Sequence, residues 1–271
     1  MEALRSALRG EPGITLDVAA LEMASIERPG LDVSFYVDVL DRVAAELAAH
    51  LPSPCGGFEF IQIANSYLFE EQAFRGNDSE YYDPRNSCLN EVLDRKQGIP
   101  ITLSVVYMEV ARRLGRPVFG IGLPGHFVVE YDDGAFSAYV DPFHAGKLLR
   151  EDECLELARE ITGVDFSSEK TVLERVSVRY ILARMLNNMR SAYFRLEQYR
   201  KGIAVLDLLI EAFADNGEYY KARGVARLKI RELSAAKRDF EKYLEHSPQA
   251  DDRAAVKKQL EAIHRWLGRL N

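Results

Sequence analysis

Residues 98–143 read GIPITLSVVYMEVARRLGRPVFGIGLPGHFVVEYDDGAFSAYVDPF, and the period of their apolar positions changes once. From Pro100 to Gly115 the residues Ile101, Ser104, Val105, Met108, Ala111 and Leu114 recur at helical spacing and define a buried stripe. Gly98 can end a preceding segment. Pro100 suits the first helical position, where its missing N–H has no helical partner to lose. Arg112 and Arg113 stand where the negative end of a helix favours cations. Beyond Gly115 the pattern predicts strands over 117–123, 126–131 and 136–141, with Asp133-Gly134 turning the second into the third. A long helix with a meander packed on it makes an α+β domain.

Upstream, periodicity predicts helices over 15–27, 33–50 and 58–74, the last with a start that alternates like a strand. Leu51 to Gly57 is a break, and Asn86 or Ser87 can cap a short helix through Lys96. Downstream, a helix over 151–162 leads to a junction at Gly163 to Ser168, and everything from 171 to 271 reads as helix. In that last part residues recur at an offset of 34: Ala192 lies over Ala226, Gly202 over Ala236, Leu206 over Phe240 and Leu209 over Tyr243. A TPR repeat has this length. Small residues at Gly202 and Ala236 allow paired helices to approach closely. Residues 251–268 are expected to form a terminal capping helix, with Trp266 and Leu267 covering the last hairpin. The organisation expected is 1–168, N-terminal helices with the α+β domain, then 169–271, helical repeats.

Charge supports two parts. The chain carries a formal −7 over 271 residues, but residues 1–168 are strongly acidic and 169–271 net basic. The acidic part argues against a large nucleic-acid footprint, and the basic part suits an acidic partner or the acidic half itself. No apolar run approaches the roughly 18 residues that suggest a membrane span, and Met1 to Gly13 lacks the apolar stretch of a secretory signal. A cytoplasmic location is expected. Cys55, Cys88 and Cys154 are too widely spaced for a CxxC metal motif and suggest three reduced thiols.

Two residues in the meander can do acid–base chemistry. His126 opens the second strand and Asp141 ends the third, just before Pro142. If those strands pair across the turn, the side chains meet on one face, and a one-residue slip would separate them. A carboxylate beside imidazole fixes its tautomer and stabilises the protonated ring. Spacing alone equally allows each side chain to bond only to backbone.

The stretches Asn86-Ser87-Cys88-Leu89-Asn90, Gly98 to Ser104, Ala111 to Gly115, Pro124-Gly125-His126-Phe127 and Asp141-Pro142-Phe143 together resemble the SirB-type family of bacterial proteins. That resemblance covers most of the chain. It implies a transglutaminase-like (papain-type) core with N-terminal helices, followed by all-α TPR-like helical hairpins. Active transglutaminase-like enzymes carry a Cys at the start of the core helix, then a His at a strand start and an Asp-Pro at the end of a later strand. In the register set by Gly98 and Leu114-Gly115, His126 and Asp141 take the last two positions and Pro100 takes the cysteine's. The resemblance therefore implies a residual catalytic pair, His126 and Asp141, without the nucleophile.

Other candidates for the missing role are Thr102 and Ser104 on the next turn, Cys88, and the loop residue Cys55. Each is more simply structural. His144, two residues after Pro142, suggests a metal site with His126 and Asp141, but a surface position is the simpler expectation, so no metal and no cofactor are expected. Asn86, Asn90 and Glu91 form a polar cluster that suits helix capping or the rim of a His126 cleft, and Arg85, Arg95 and Lys96 could add an anion contact. Gly120, Gly122 and Gly125 lack the following helix of a nucleotide loop. The favoured expectation is a noncatalytic protein with a protein or peptide partner on its TPR-like hairpins, and with neither nucleic acid nor membrane. The alternative is a hydrolase or acyltransferase using His126 and Asp141 with a noncysteine nucleophile or Cys88.

Overall fold

The computed structural model describes residues 1–166 and 168–267 and divides into two compact units, Met1–Met185 and Leu186–Asn271. In the first unit, α1 (Glu2–Arg9), α2 (Leu16–Ala24), α3 (Val33–His50) and α4 (Gly57–Asn65) precede the core helix. The chain then continues through a π-helical turn, Ser66–Glu71, so the single helix expected over 58–74 is interrupted midway. A two-residue strand β1 (Arg75–Gly76), a 3-10 turn (Pro84–Ser87), α5 (Leu89–Arg95) and β2 (Gln97–Gly98) lead into α6 (Pro100–Arg113). β1 and β2 pair in parallel, Gly76 beside Gly98. Neither α1 nor this short pairing was anticipated: two residues give no period to read, and α1 is short.

Pro100 is the first residue of α6 and is buried there. The Thr102 hydroxyl closes the helix start by accepting from the Ile99 N–H at 3.1 Å and donating to the Asn86 carbonyl at 2.8 Å. The sequence stripe predicts one buried face, yet α6 is buried almost all round from Pro100 to Ala111. The reason is that α2, α3 and α5 cover one side of it and the sheet covers the other. Two carboxylates go inside with it, Asp17 of α2 and Glu109 of α6. Arg113 reaches both, at 2.6 Å to Asp17 and 2.9 Å to Glu109, so neither buried charge lacks a counterion.

The sheet has four antiparallel strands in chain order: β3 (Val118–Ile121), β4 (Val128–Asp132), β5 (Ser137–Asp141) and β6 (Lys147–Leu149). β6 was not expected, since three residues after Gly146 carry no alternation. β4 starts at Val128, so His126 lies in the turn before the strand, its backbone N–H bonded to the Leu123 carbonyl. α7 (Glu151–Thr162) follows, with Gly163 in the left-handed conformation ending it, then a 3-10 turn (Lys170–Leu173). Of the expected junction, Ser167 lies outside the described residues. The next helix is α8 (Val178–Arg195).

In the second unit, α9 (Tyr199–Ala212), α10 (Gly217–Lys229), α11 (Leu233–His246) and α12 (Arg253–Leu267) follow. Both ends of α9 and α11 obey the offset read from the sequence, a TPR spacing of about 34 residues. Gly202 is needed where it stands, because a Cβ there would lie 2.2 Å from the Phe194 ring. Asp239 is buried and held by Arg223 and Arg227, so part of the unit's basic charge is spent internally. The cap differs from expectation in one residue. Ile263 is buried and Leu267 packs on the Phe240–Tyr243 core, while Trp266, on the flank of that stripe, is 61% exposed. Gly268, the expected end of that helix, lies outside the described residues.

Candidate functional site

The strand pairing that brings His126 toward Asp141 is present: Val129 stands opposite Val140 and Asp132 opposite Ser137. One step further along this register puts Asp141 beside Val128, two residues from His126 and so on the same face of the pleat. The imidazole Nε2 lies 2.9 Å from Asp141 Oδ2, and both side chains are buried. The second carboxylate oxygen accepts the backbone N–H of Phe143 at 3.0 Å and of His144 at 3.4 Å, which caps the 3-10 turn Pro142–His144. Burial alone would raise the carboxyl pKa, but bonding to His126 and then to His144 holds it below the ordinary carboxylate range.

His144 arrives from the same turn. Its Nδ1 lies 2.7 Å from Asp141 Oδ2, its ring stacks on His126 with centroids 5.7 Å apart, and half of it is exposed. The surface position expected for His144 is therefore half correct, since one ring edge is tied to the buried carboxylate. Phe143 sets its ring edge-on to His126 at 5.9 Å. Gly76 makes room for it: a Cβ there would come within 2.7 Å of the Phe143 ring. The turn is held at its far end by Asn65, whose amide donates to the Gly146 carbonyl at 2.7 Å.

One contributor escaped sequence reasoning. Arg184 of α8 donates to the backbone carbonyls of Leu123 at 2.8 Å and His126 at 2.5 Å, pinning the turn that carries the imidazole. Burial pushes its guanidinium pKa down. Arg184 is far from the meander in sequence and belongs to no local motif, so no residue pattern points to it.

The candidate nucleophiles are buried or bonded to other groups. Cys88 is fully buried with Sγ 3.6 Å from the Pro84 carbonyl. Cys154 is buried, and burial pushes its thiol up to about 12. Cys55 bonds the adjacent Gly56 carbonyl. Thr102 is spent on the start of α6, and Ser104 is buried with no hydrogen-bond partner. Among the described residues, Asp141 holds the one side chain hydrogen-bonded to the His126 ring.

In the polar cluster ahead of α6, Asn86 is bonded into the fold. Asn86 is buried and bonds the carbonyls of Glu80 and Tyr81 and the side chain of Asn77. Asn90 is buried as well, and Glu91 is half-buried in the first turn of α5. The N-cap of that helix is Cys88, in place of the expected Asn86 or Ser87, with no side-chain capping bond. Arg85 and Arg95 both turn to Asp83, and Lys96 lies over the Phe74 ring, so these cations are not gathered into an anion site.

Similarity to known proteins agrees with this architecture. A family model described as the transglutaminase-like superfamily matches residues 35–187, and a tetratricopeptide repeat model matches residues 189–261. A UPF0162 protein of Xylella fastidiosa (strain Temecula1) is 34% identical over 234 residues, covering 84% of this chain and 83% of its own length. A UPF0162 protein of Vibrio cholerae is 26% identical over 197 residues, covering 72% of this chain and 73% of its own. F-box only protein 21 of Mus musculus is 32% identical over 142 residues, covering 49% of this chain and 22% of that protein. With a superfamily match across more than half its length and a relative aligned over most of both chains, this chain belongs to the transglutaminase-like superfamily, alongside the UPF0162 proteins.

Proposed function

We propose that this chain is a noncatalytic, SirB-type transglutaminase-like protein that acts through protein–protein interaction. The observation that carries the reading is Pro100 at the first residue of α6, where the family's nucleophilic thiol would stand. A pyrrolidine ring has no atom that His126 can activate, and no hydroxyl or thiol among the described residues bonds the imidazole in its stead. Cys88 and Cys154 are buried, and a raised thiol pKa keeps Cys154 in its unreactive form.

TPR repeats generally mediate protein–protein interactions. Here the second unit offers an apolar recess of about 390 Å³ lined by Leu228, Leu233, Ile263 and the exposed Trp266. An apolar side chain of a partner peptide or helix fits such a recess. None of the described helices is long and apolar enough to cross a membrane, and a cytoplasmic site of action suits the reading. The test is affinity capture with the full chain and with Trp266→Ala. A partner retained by the first and lost from the second supports the proposal. Capture of nothing by either, under conditions where the chain is folded, contradicts it.

A further inference from the structure

The same three side chains that remain after loss of the thiol form a set of another kind. His126 Nε2, Asp141 Oδ2 and His144 Nδ1 all lie within 4.8 Å of one another. They come from three backbone positions already fixed by other bonds. Arg184 pins the His126 carbonyl, and the Phe143 and His144 N–H groups hold the far oxygen of Asp141. A carboxylate serving one imidazole would complete a dyad. Here one oxygen serves two.

We infer that His126, Asp141 and His144 form a binding site for a divalent transition metal of the zinc class. Two imidazoles and one carboxylate are a common three-ligand set for such ions, leaving a further position open. That position is available. Asp141 and His144 line a cavity of about 440 Å³, together with Lys147, Glu153 and Glu156. Glu153, Glu156 and Glu160 of α7 also line it against the single Lys147; Arg150 and Arg159 pair with the first two, and Glu160 adds a further carboxylate that favours a cation. The geometry also states what binding requires. Ligand atoms around a tetrahedral ion with bonds near 2.0–2.1 Å stand about 3.4 Å apart, whereas Asp141 Oδ2 is 2.7 and 2.9 Å from the two nitrogens. The carboxylate oxygen therefore withdraws by about half an ångström. Each neutral ring moves its proton to its other nitrogen, Nδ1 of His126 and Nε2 of His144, so coordination of neutral rings releases no proton.

This inference stands apart from the interaction proposal, since it needs neither a partner nor an absence of catalysis. The test is calorimetric titration of the chelator-treated full chain with zinc chloride, and with cobalt(II) followed by visible absorption. One saturable ion per chain is expected, with cobalt bands characteristic of nitrogen and oxygen ligands. Because His144 is half-exposed, His144→Ala is expected to fold as the wild type does, checked by circular dichroism. It should bind zinc more weakly by more than the roughly 10–100-fold that loss of an outer partner costs. His144→Gln is the second variant should alanine disturb the turn, and His246→Ala, in the other unit, should bind as wild type. No saturable binding by the wild-type chain overturns the assignment, as does equal affinity in folded His144 variants.

Discussion

His126 and Asp141 meet through Nε2 and Oδ2 at 2.9 Å, which leaves Nδ1 as the open edge of the imidazole. The orientation is set from behind, by Arg184 on the His126 carbonyl, and from beside, by the capped turn after Asp141. Among the described residues, no hydroxyl or thiol is hydrogen-bonded to that open edge.

Replacing Pro100 by Cys tests the register that places it at the nucleophile's position. Proline at the first helical position forms no ladder bond, so its loss is expected to leave the fold intact. A thiol at a helix start is acidified. Alkylation of Pro100→Cys by iodoacetamide should therefore titrate below the ordinary Cys pKa of about 8.5. Adding His126→Ala should move the midpoint back up. A midpoint that ignores His126 would show that position 100 and the imidazole do not cooperate.

Arg184→Leu removes the donor to two buried carbonyls. Each loss of a charged partner costs roughly 1.5–3 kcal/mol, read as a drop in the urea midpoint. Amide exchange at Gly125 and His126 should quicken more than exchange in β5. Arg184→Lys should recover part of the stability.

Gly76→Ala pushes a methyl group toward the Phe143 ring, where the gap is 2.7 Å. Overpacking of this kind costs about 1–3 kcal/mol. Thermal unfolding should show the loss, and Phe143→Leu in the same chain should return part of it.

Asp17 gives the acid limb of stability. Burial alone would raise its pKa, but hydrogen bonds from Thr15, Arg113 and the Val18 amide hold it below the ordinary value. The unfolded chain therefore binds the proton more readily. The stabilisation is complete above the unfolded-state pKa of about 3.9 and is lost as pH falls through the lower folded-state value. Asp17→Asn should cost roughly 2 kcal/mol at neutral pH and flatten the stability curve below pH 4 or so. A wild-type-like acid limb in Asp17→Asn contradicts this assignment.

Much of the fold was legible because its signals are long. The stripe from Ile101 to Leu114 and the turn at Asp133-Gly134 predict the core helix and the β4–β5 pairing, and the 34-residue offset predicts α9 and α11. Short elements were not legible. β6 and the β1–β2 pairing are too brief for periodicity and exist because Gly76 and Gly146 let other groups approach. At the site, the pattern around Pro124–His126 and Asp141-Pro142 identified two residues that do meet. It could not show that His144 shares the same oxygen, which depends on a three-residue turn, nor that Arg184 arrives from a distant helix. Trp266 lies at the edge of the α12 stripe and stays mostly exposed beside Ile263, which residue spacing alone does not distinguish from full cover.

His126 is the residue at which any acyl-transfer chemistry would be visible. The most direct measurement is a side-by-side rate of amide and ester hydrolysis and acyl transfer by the wild-type chain and His126→Ala, with labelling by thiol- and hydroxyl-directed acyl probes. Equal background rates and no His126-dependent label are expected. A wild-type rate or a covalent adduct that vanishes with the imidazole would contradict the account.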